Sequence, residues 1–204
     1  MANRSIFWFR RDLRLGDNPA LLSAIAEGDE VVPVFILDPK LIKTAGSKRL
    51  AYLGQSLRLL DESLGNNLHV IAGDQITVLN DLIKRYQVSS VHISAEYEPY
   101  GAKRDAAIEE AGIKLTRTGS PYAVAPGRVR KPSDDTPYRV YTPFYKAWCL
   151  HGWRKPAETP KVINSVKPSA EDRSFPDWKL PDGTKITQAG ELAALERFKY
   201  FQKN

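Results

Sequence analysis

Ser5-Ile6-Phe7-Trp8-Phe9 runs straight into Arg10-Arg11-Asp12-Leu13-Arg14-Leu15-Gly16-Asp17-Asn18, and five of the last nine residues are charged. A continuous apolar run of this length reads as a strand covered on both faces, as in a parallel sheet. The charged stretch then lies at the strand's carboxyl end, where open α/β sheets bind ligands. By itself the same stretch is equally consistent with a solvated loop, since loops are commonly polar. Asp17-Asn18-Pro19 restarts the chain as a helix, with Asp17 or Asn18 as N-cap and Pro19 at the first helical position.

Strand and helix alternate from there. The expected strands are Ser5–Phe9, Val31–Leu37, Leu68–Ala72, Val91–Ala95 and Lys114–Thr118, each short, apolar and rich in β-branched or aromatic residues. Helices are expected over Ala20–Glu27, Lys48–Leu64, Ile76–Tyr86 and Gly101–Ala111. The second carries a stripe of Leu50, Leu53, Leu57, Leu60 and Leu64. This alternation predicts an α/β fold, a doubly wound five-stranded parallel sheet of Rossmann-like form. After Thr118 the pattern changes. Thr142-Pro143 starts a helix reaching about Trp153, with Thr142 as its cap. Five prolines between Pro156 and Thr187 mark an extended, surface-bound linker. Gly190–Gln202 resumes a helical pattern through Leu192, Leu195, Phe198 and Phe201, a stripe that needs something to bury it.

Composition narrows the chemistry. The 204 residues suit one α/β domain plus an extension, and 42% hydrophobic content suffices for a core. No apolar stretch of about 20 residues exists, so no membrane span is expected. Arginines by residue 10 leave no room for a signal peptide. Cys149 stands alone, so no internal disulfide forms, and a reducing, cytoplasmic location is expected. His69, His92 and His151 are scattered without metal-ligand spacing, and the first two read as structurally satisfied strand residues. No glycine-rich dinucleotide fingerprint, P-loop or nucleophile elbow follows any strand. The domain is therefore expected to hold no catalytic residue and no metal.

The net charge of +6 is uneven. Residues 1–120 balance 15 basic against 15 acidic residues, so the whole excess falls in 121–204. Between Pro126 and Lys155, seven basic residues stand beside two acidic ones, interleaved with Tyr138, Tyr141, Phe144, Tyr145, Trp148 and Trp153. That mixture suits a polyanion partner or a surface that docks another domain. Docking is the plainer reading, because no recognised nucleic-acid module is present.

Trp8-Phe9-Arg10-Arg11-Asp12-Leu13-Arg14-Leu15 with Asp17-Asn18 resembles the N-terminal signature of the DNA photolyase/cryptochrome family. Four further blocks resemble it in the same order: Phe35-Ile36-Leu37-Asp38-Pro39, Arg49-Leu50-Ala51-Tyr52-Leu53, Glu98-Pro99-Tyr100-Gly101 and Tyr138-Arg139-Val140-Tyr141-Thr142-Pro143-Phe144. Gly190–Phe201 resembles the first helix after the family's interdomain linker. The resemblance implies that residues 1–125 form the core of a light-harvesting antenna domain. It makes 126–155 the basic, aromatic closing segment, 156–188 a linker, and 189–204 the start of a helical FAD-binding domain. In the family, that helical domain holds FAD and the lesion pocket. None of its flavin- or lesion-contacting positions falls in this sequence. The implied parent is a monomeric lyase that repairs cyclobutane pyrimidine dimers in damaged DNA with light, and this chain alone would not repair DNA. The linker and the unpartnered helix make self-association a question for light scattering.

The resemblance also implies an antenna chromophore. Folate-binding members carry an Asn-Glu pair where this chain has Tyr100-Gly101, and a His in the loop that here reads Leu41–Lys48 without one. That disfavours methenyltetrahydrofolate. The Glu98–Gly101 and Arg49–Leu53 blocks are similar to members binding 8-hydroxy-5-deazaflavin, the preferred chromophore, in a pocket that also takes FMN. The ring would lie near Phe35, Ile36 and Leu37, under Lys48, Leu50, Ala51 and Leu53. Polar contacts would come from Arg11, Asp12, Lys103 and Asp105. Ordinary helix-to-sheet packing is the alternative for Leu50, Ala51 and Leu53, and a solvated helix face for Lys103 and Asp105. Arg10 and Arg14 read as structural ion pairs, to Asp17 or to an acid of the helical domain. Arg139 and Lys146 read as interdomain contacts or as phosphate contacts that position DNA. A cryptochrome photosensor shares this architecture and is the nearest alternative. A stand-alone nucleotide-binding α/β module is the other, and would need a glycine-rich phosphate loop.

Overall fold

The computed structural model describes residues 2–203; Met1 and Asn204, the outer ends of the first and last expected segments, lie outside them. Five strands form one all-parallel sheet: β1 (Arg4–Phe9), β2 (Glu30–Leu37), β3 (His69–Ala72), β4 (Val88–Ile93) and β5 (Leu115–Arg117). Their order is β3-β2-β1-β4-β5. The winding goes outward through β2 and β3, then returns to the far side of β1. The switch point therefore falls between β1 and β4, and there the crevice opens at the strands' carboxyl ends.

Strand periodicity sorts the core onto two faces. Ile6, Trp8, Val32, Val34 and Ile36 pack with Leu79, Leu82 and Ile108, from helices α4 (Gln75–Tyr86) and α5 (Pro99–Glu110). Phe7, Phe9, Val31, Phe35 and Leu37 pack with Leu21, Leu57 and Leu60, from α1 (Pro19–Glu27) and α3 (Ser47–Ser63). Each fully buried Phe or Leu contributes roughly 1.5–3 kcal/mol.

Helix starts follow local chemistry. Asn18 caps α1, its side chain accepting from Leu21 N, and Pro19 opens the helix. Asp17 turns the chain at φ 48° and accepts from Ala157 N and Arg154 instead. Asp38 caps a further short helix, α2 (Pro39–Thr44), which the sequence pattern did not reveal. Six residues are too few to display a 3.6 period. Strand β4 begins three residues earlier and ends two earlier than expected. Gln87 in the left-handed region joins α4 directly to it. Its first three residues are polar or only partly buried, which hid them from a search for apolar runs. Helix α6 (Tyr141–His151) begins before Thr142, which is not its cap; Val140 holds that position without a side-chain bond.

Residues 156–188, the segment expected to be a linker, lie mostly on the surface and are pinned to the sheet. Val31 N donates to Asn164 O at 2.8 Å, Val166 N to Val31 O at 2.9 Å, and Ser174 N to Val70 O at 2.8 Å. Those bonds pair the edge of β2 and then the outer edge of β3, which would otherwise stand open to other chains. Asp172, fully buried, receives Arg85 at 2.7 Å and Tyr86 Oη at 3.0 Å. Arg173 reaches Asp61 at 2.7 Å.

Helix α7 (Glu191–Lys203) is bonded to the domain through its first turn. The Glu191 carboxylate accepts from Leu15 N at 2.9 Å and Gly16 N at 3.0 Å. Gly190 sits at φ 92°, and a Cβ there would meet Leu59 at 2.8 Å. The stripe of Leu192, Leu195, Phe198 and Phe201 stays exposed.

Candidate functional site

The crevice at the switch point is floored by a buried charge cluster. Arg10, the first residue after β1, lies 3.1 Å from Glu96 and 2.8 Å from Asp105, and its guanidinium also donates to Ser94 O. Arg104 lies 2.7 Å from Asp105 and 3.4 Å from Glu96. Two arginines thus face two carboxylates, all nearly buried, so the charges balance. Burial pulls the Arg10 guanidinium below its ordinary range and repulsion from Arg104 adds to this, while Asp105 and Glu96 oppose both. The indole of Trp8 is approached by Arg10 at 5.2 Å and Arg104 at 4.9 Å from its centroid. The cluster makes the floor rigid.

Above it opens a cleft of about 450 Å³ at the ends of β1 and β2 and the start of α5. Trp8, Phe9, Phe35 and Ile36 supply apolar wall, and Arg11, Arg49, Asp38 and Tyr100 supply polar rim. Pro39 and Pro99 both open helices, and this sets Asp38 and Tyr100 face to face. The Tyr100 hydroxyl donates to the Asp38 carboxylate. Burial alone would raise the Asp38 carboxyl, but hydrogen bonds from Tyr100, Lys40 N and Gln75 hold it below the usual carboxylate range. Burial and the bond to Asp38 push the Tyr100 phenol up to about 12. The pair is therefore an ionised carboxylate holding a neutral phenol across neutral pH. Arg11 pairs with Glu98 at the exposed lip.

Of the expected chromophore contacts, the structure brings Arg11, Phe35 and Ile36 to this cleft. Leu37 points to the α1/α3 face of the sheet and is buried there. Ala51 is buried and Leu53 packs against the same cluster, and neither lines the cleft. Leu50 is half-buried in α3 and Lys48 is exposed in its first turn. Neither lines the cleft, where the neighbouring Arg49 stands instead. Asp12 turns the other way. It accepts from Ser94 Oγ and lines a separate cavity of about 720 Å³ beside α7. Asp105 is committed to Arg10 and Arg104 beneath the floor. Lys103 lines an adjoining cavity.

Arg10 forms its ion pairs with Glu96 and Asp105, and not with Asp17. Arg14 bonds Gly16 O and Asp17 O at 3.0 Å and lies 3.8 Å from the Asp17 carboxylate. Arg139 and Lys146 are exposed and make no ion pair among the described residues. His69 and His92 are each satisfied at one nitrogen: Nδ1 of His69 on Pro33 O, and Nε2 of His92 beside Ser90 and Glu27. The other nitrogen of each ring is buried without a partner. Sequence reasoning missed Asp38, Gln75 and Arg49 as site residues. The Asp38-Pro39 cap signature was the available signal. Among the described residues no helix is long and apolar enough to cross a membrane, and no cluster of His, Cys, Asp and Glu could hold a metal ion.

An open parallel α/β sheet with a charge-floored cleft at its switch point places the chain in the doubly wound class. The DNA photolyase family profile matches residues 5–161, and the chain belongs to that family, to its N-terminal domain. A deoxyribodipyrimidine photo-lyase from Synechococcus sp. is 31% identical over 224 residues, covering 98% of this chain and 46% of that protein. A bacterial class III photolyase from Agrobacterium tumefaciens superposes with a TM-score of 0.84 at 31% identity, over 100% of this chain and 45% of that one. An archaeal photolyase from Sulfolobus tokodaii, described with two FAD molecules and a novel light-harvesting cofactor, gives a TM-score of 0.67 at 30% identity, over 80% and 38%. The chain spans a little under half the length of these relatives.

Proposed function

We propose that this chain is the light-harvesting part of a deoxyribodipyrimidine photo-lyase acting on cyclobutane pyrimidine dimers in DNA. The observation that carries the reading is the cleft itself. Residues from four separated motifs, Trp8–Arg11, Phe35–Asp38, Arg49 and Glu98–Gly101, meet around one apolar slot with a polar rim. A flat aromatic ring fits such a wall. The buried charge cluster beneath holds the slot still. The ring contacts fall to Phe35 and Ile36, and the rim contacts to Arg11, Arg49 and the Asp38–Tyr100 pair. 8-Hydroxy-5-deazaflavin and FMN share the required ring shape, and the slot alone does not separate them.

When bound, the chromophore supplies light absorption and passes the excitation on. This chain's residues bind it, orient it and exclude water. The dimer-splitting chemistry belongs to the FAD-bearing region of the whole enzyme, and damaged DNA is a partner of that whole. Residues 126–155, with Arg139 and Lys146, then serve docking between domains or contact phosphate.

Titration of the chain with 8-hydroxy-5-deazaflavin or FMN, followed by absorption and fluorescence, tests the reading. Saturable binding with a shifted band is expected, and Leu41→Trp should abolish it. Leu41 lines the slot yet is half exposed, so a larger side chain blocks the entrance without disturbing the core. Binding of ATP or AMP in place of either chromophore would overturn it.

A further inference from the structure

We propose that the ligand of this cleft carries an anionic tail, a phosphate or its equivalent, held between Lys40 and Lys103; the inference rests on the chromophore reading above. A second cavity of about 370 Å³ adjoins the ring cleft. The two share Gln75, Tyr100 and Arg104 on their walls, so they lie on either side of these side chains. A ligand with its ring in the first reaches the second by passing that side chain.

The second cavity has the charge an anion needs. Lys40 follows Pro39 in the first turn of α2, and Lys103 lies in the first part of α5. Both residues line the cavity, and neither makes an ion pair with a described residue, although the Lys40 charge helps to lower the Asp38 carboxyl. The carboxylates nearby are already engaged. Asp74 accepts from Ile76 N at 3.1 Å and Thr77 N at 3.2 Å as the cap of α4. Asp38 is held by Tyr100, Lys40 N and Gln75. Arg104 is tied to Asp105 and Glu96 below. Lys40 and Lys103 therefore share one space with the single carboxylate of Asp74, an excess of positive charge, with Ile76 and Ile108 as its apolar backing. Like charges on one small cavity are stabilised by an anion between them, and a phosphate accepts from both ammonium groups at once.

The consequence is a choice among chromophores that the ring slot cannot make. Riboflavin and FMN share one ring and differ by the phosphate. 8-Hydroxy-5-deazaflavin with a plain ribityl tail lacks the phosphate too. FMN should bind at least about tenfold more tightly than riboflavin, and its advantage should shrink as salt is raised.

The test is the affinity of the 204-residue chain for FMN, riboflavin and 8-hydroxy-5-deazaflavin, measured by fluorescence titration at low and high salt. The same titrations are run on Lys40→Gln/Lys103→Gln. Both lysines are exposed, so the variant should keep its fold by circular dichroism. The expected result is an FMN preference erased in the variant, with riboflavin affinity unchanged. Equal binding of FMN and riboflavin, or tighter binding of the neutral deazaflavin, would overturn the anionic tail and leave the ring slot standing. Failure of all three to bind would overturn the ring slot and the tail with it.

Discussion

Arg10 and Asp105, 95 positions apart, lie 2.8 Å from one another beneath the cleft, and both side chains are almost wholly buried. Removing one member of a buried pair leaves the other charged and unsolvated, at a cost of about 3–5 kcal/mol. Asp105→Ala should lower stability by that amount in urea. Lys103→Ala, two positions away on the exposed side of α5, should change it by about 0.5 kcal/mol or less. Equal losses from both would contradict the cluster described here.

Gly101 is constrained by the same cluster. A Cβ there would stand 2.5 Å from Glu96 Oε2 and 3.0 Å from Glu96 Cβ. Glu96 cannot move without leaving Arg10. Gly101→Ala should cost about 1–3 kcal/mol and weaken chromophore binding, because the floor of the slot shifts with Glu96. Thermal melting and titration of one preparation check both effects. A variant with unaltered melting and affinity would show that Glu96 has room to relax.

The linker should be released by acid or by loss of Arg85. Burial alone would raise the Asp172 carboxyl, but bonds from Arg85, Ser169 and Tyr86 hold it below its ordinary value. A depressed carboxylate stabilises the fold above its unfolded value, near 3.9, and the contribution is lost as pH falls through the lower folded value. Arg85→Ala should expose residues 156–190 to protease at neutral pH. It should also speed amide exchange at Val166 and Ser174, which donate to β2 and β3. Unchanged protection at those two amides would mean that the backbone bonds alone hold the linker.

His69 and His92 set a dependence at milder pH. Burial lowers both rings below 6.5, against the raising influence of Asp172 on the first and of Glu27 on the second. A ring kept neutral by folding stabilises the fold above 6.5, and that contribution declines as pH falls below it. Each histidine adds a slope of up to about 1.4 kcal/mol per pH unit. Denaturant unfolding at pH 7, 6 and 5 should show falling stability. His69→Gln should flatten the curve. A flat curve in the parent chain would exclude the effect.

The alternation of strand and helix was legible because each strand is an apolar run with both faces covered. Asp17-Asn18-Pro19 announced the start of α1 through short-range chemistry, whereas Asp38-Pro39, with a similar signature, opens a helix too short to show a period. Leu50, Ala51 and Leu53 show the limit of that kind of reading. Their spacing marks a buried helix face but does not say whether core or ligand covers it, and Leu53 packs against the core of the α1/α3 face. Asp12 and Asp105 had the right chemistry for ligand contacts, yet one turned toward Ser94 and the other toward Arg10.

The sequence by itself therefore determined the parallel α/β sheet, the start of α1 and the family, since local periodicity, the Asn18-Pro19 cap and motif order are properties of adjacent residues. Only the tertiary structure decided which charges sit in the cleft. Arg10 with Asp105, Tyr100 with Asp38, and Lys40 with Lys103 are brought together by strand order and by the crossing from β3 to β4. Partners separated by some 60 to 95 positions leave no periodic trace in a single chain, because their pairing is set by how the sheet winds and not by their spacing.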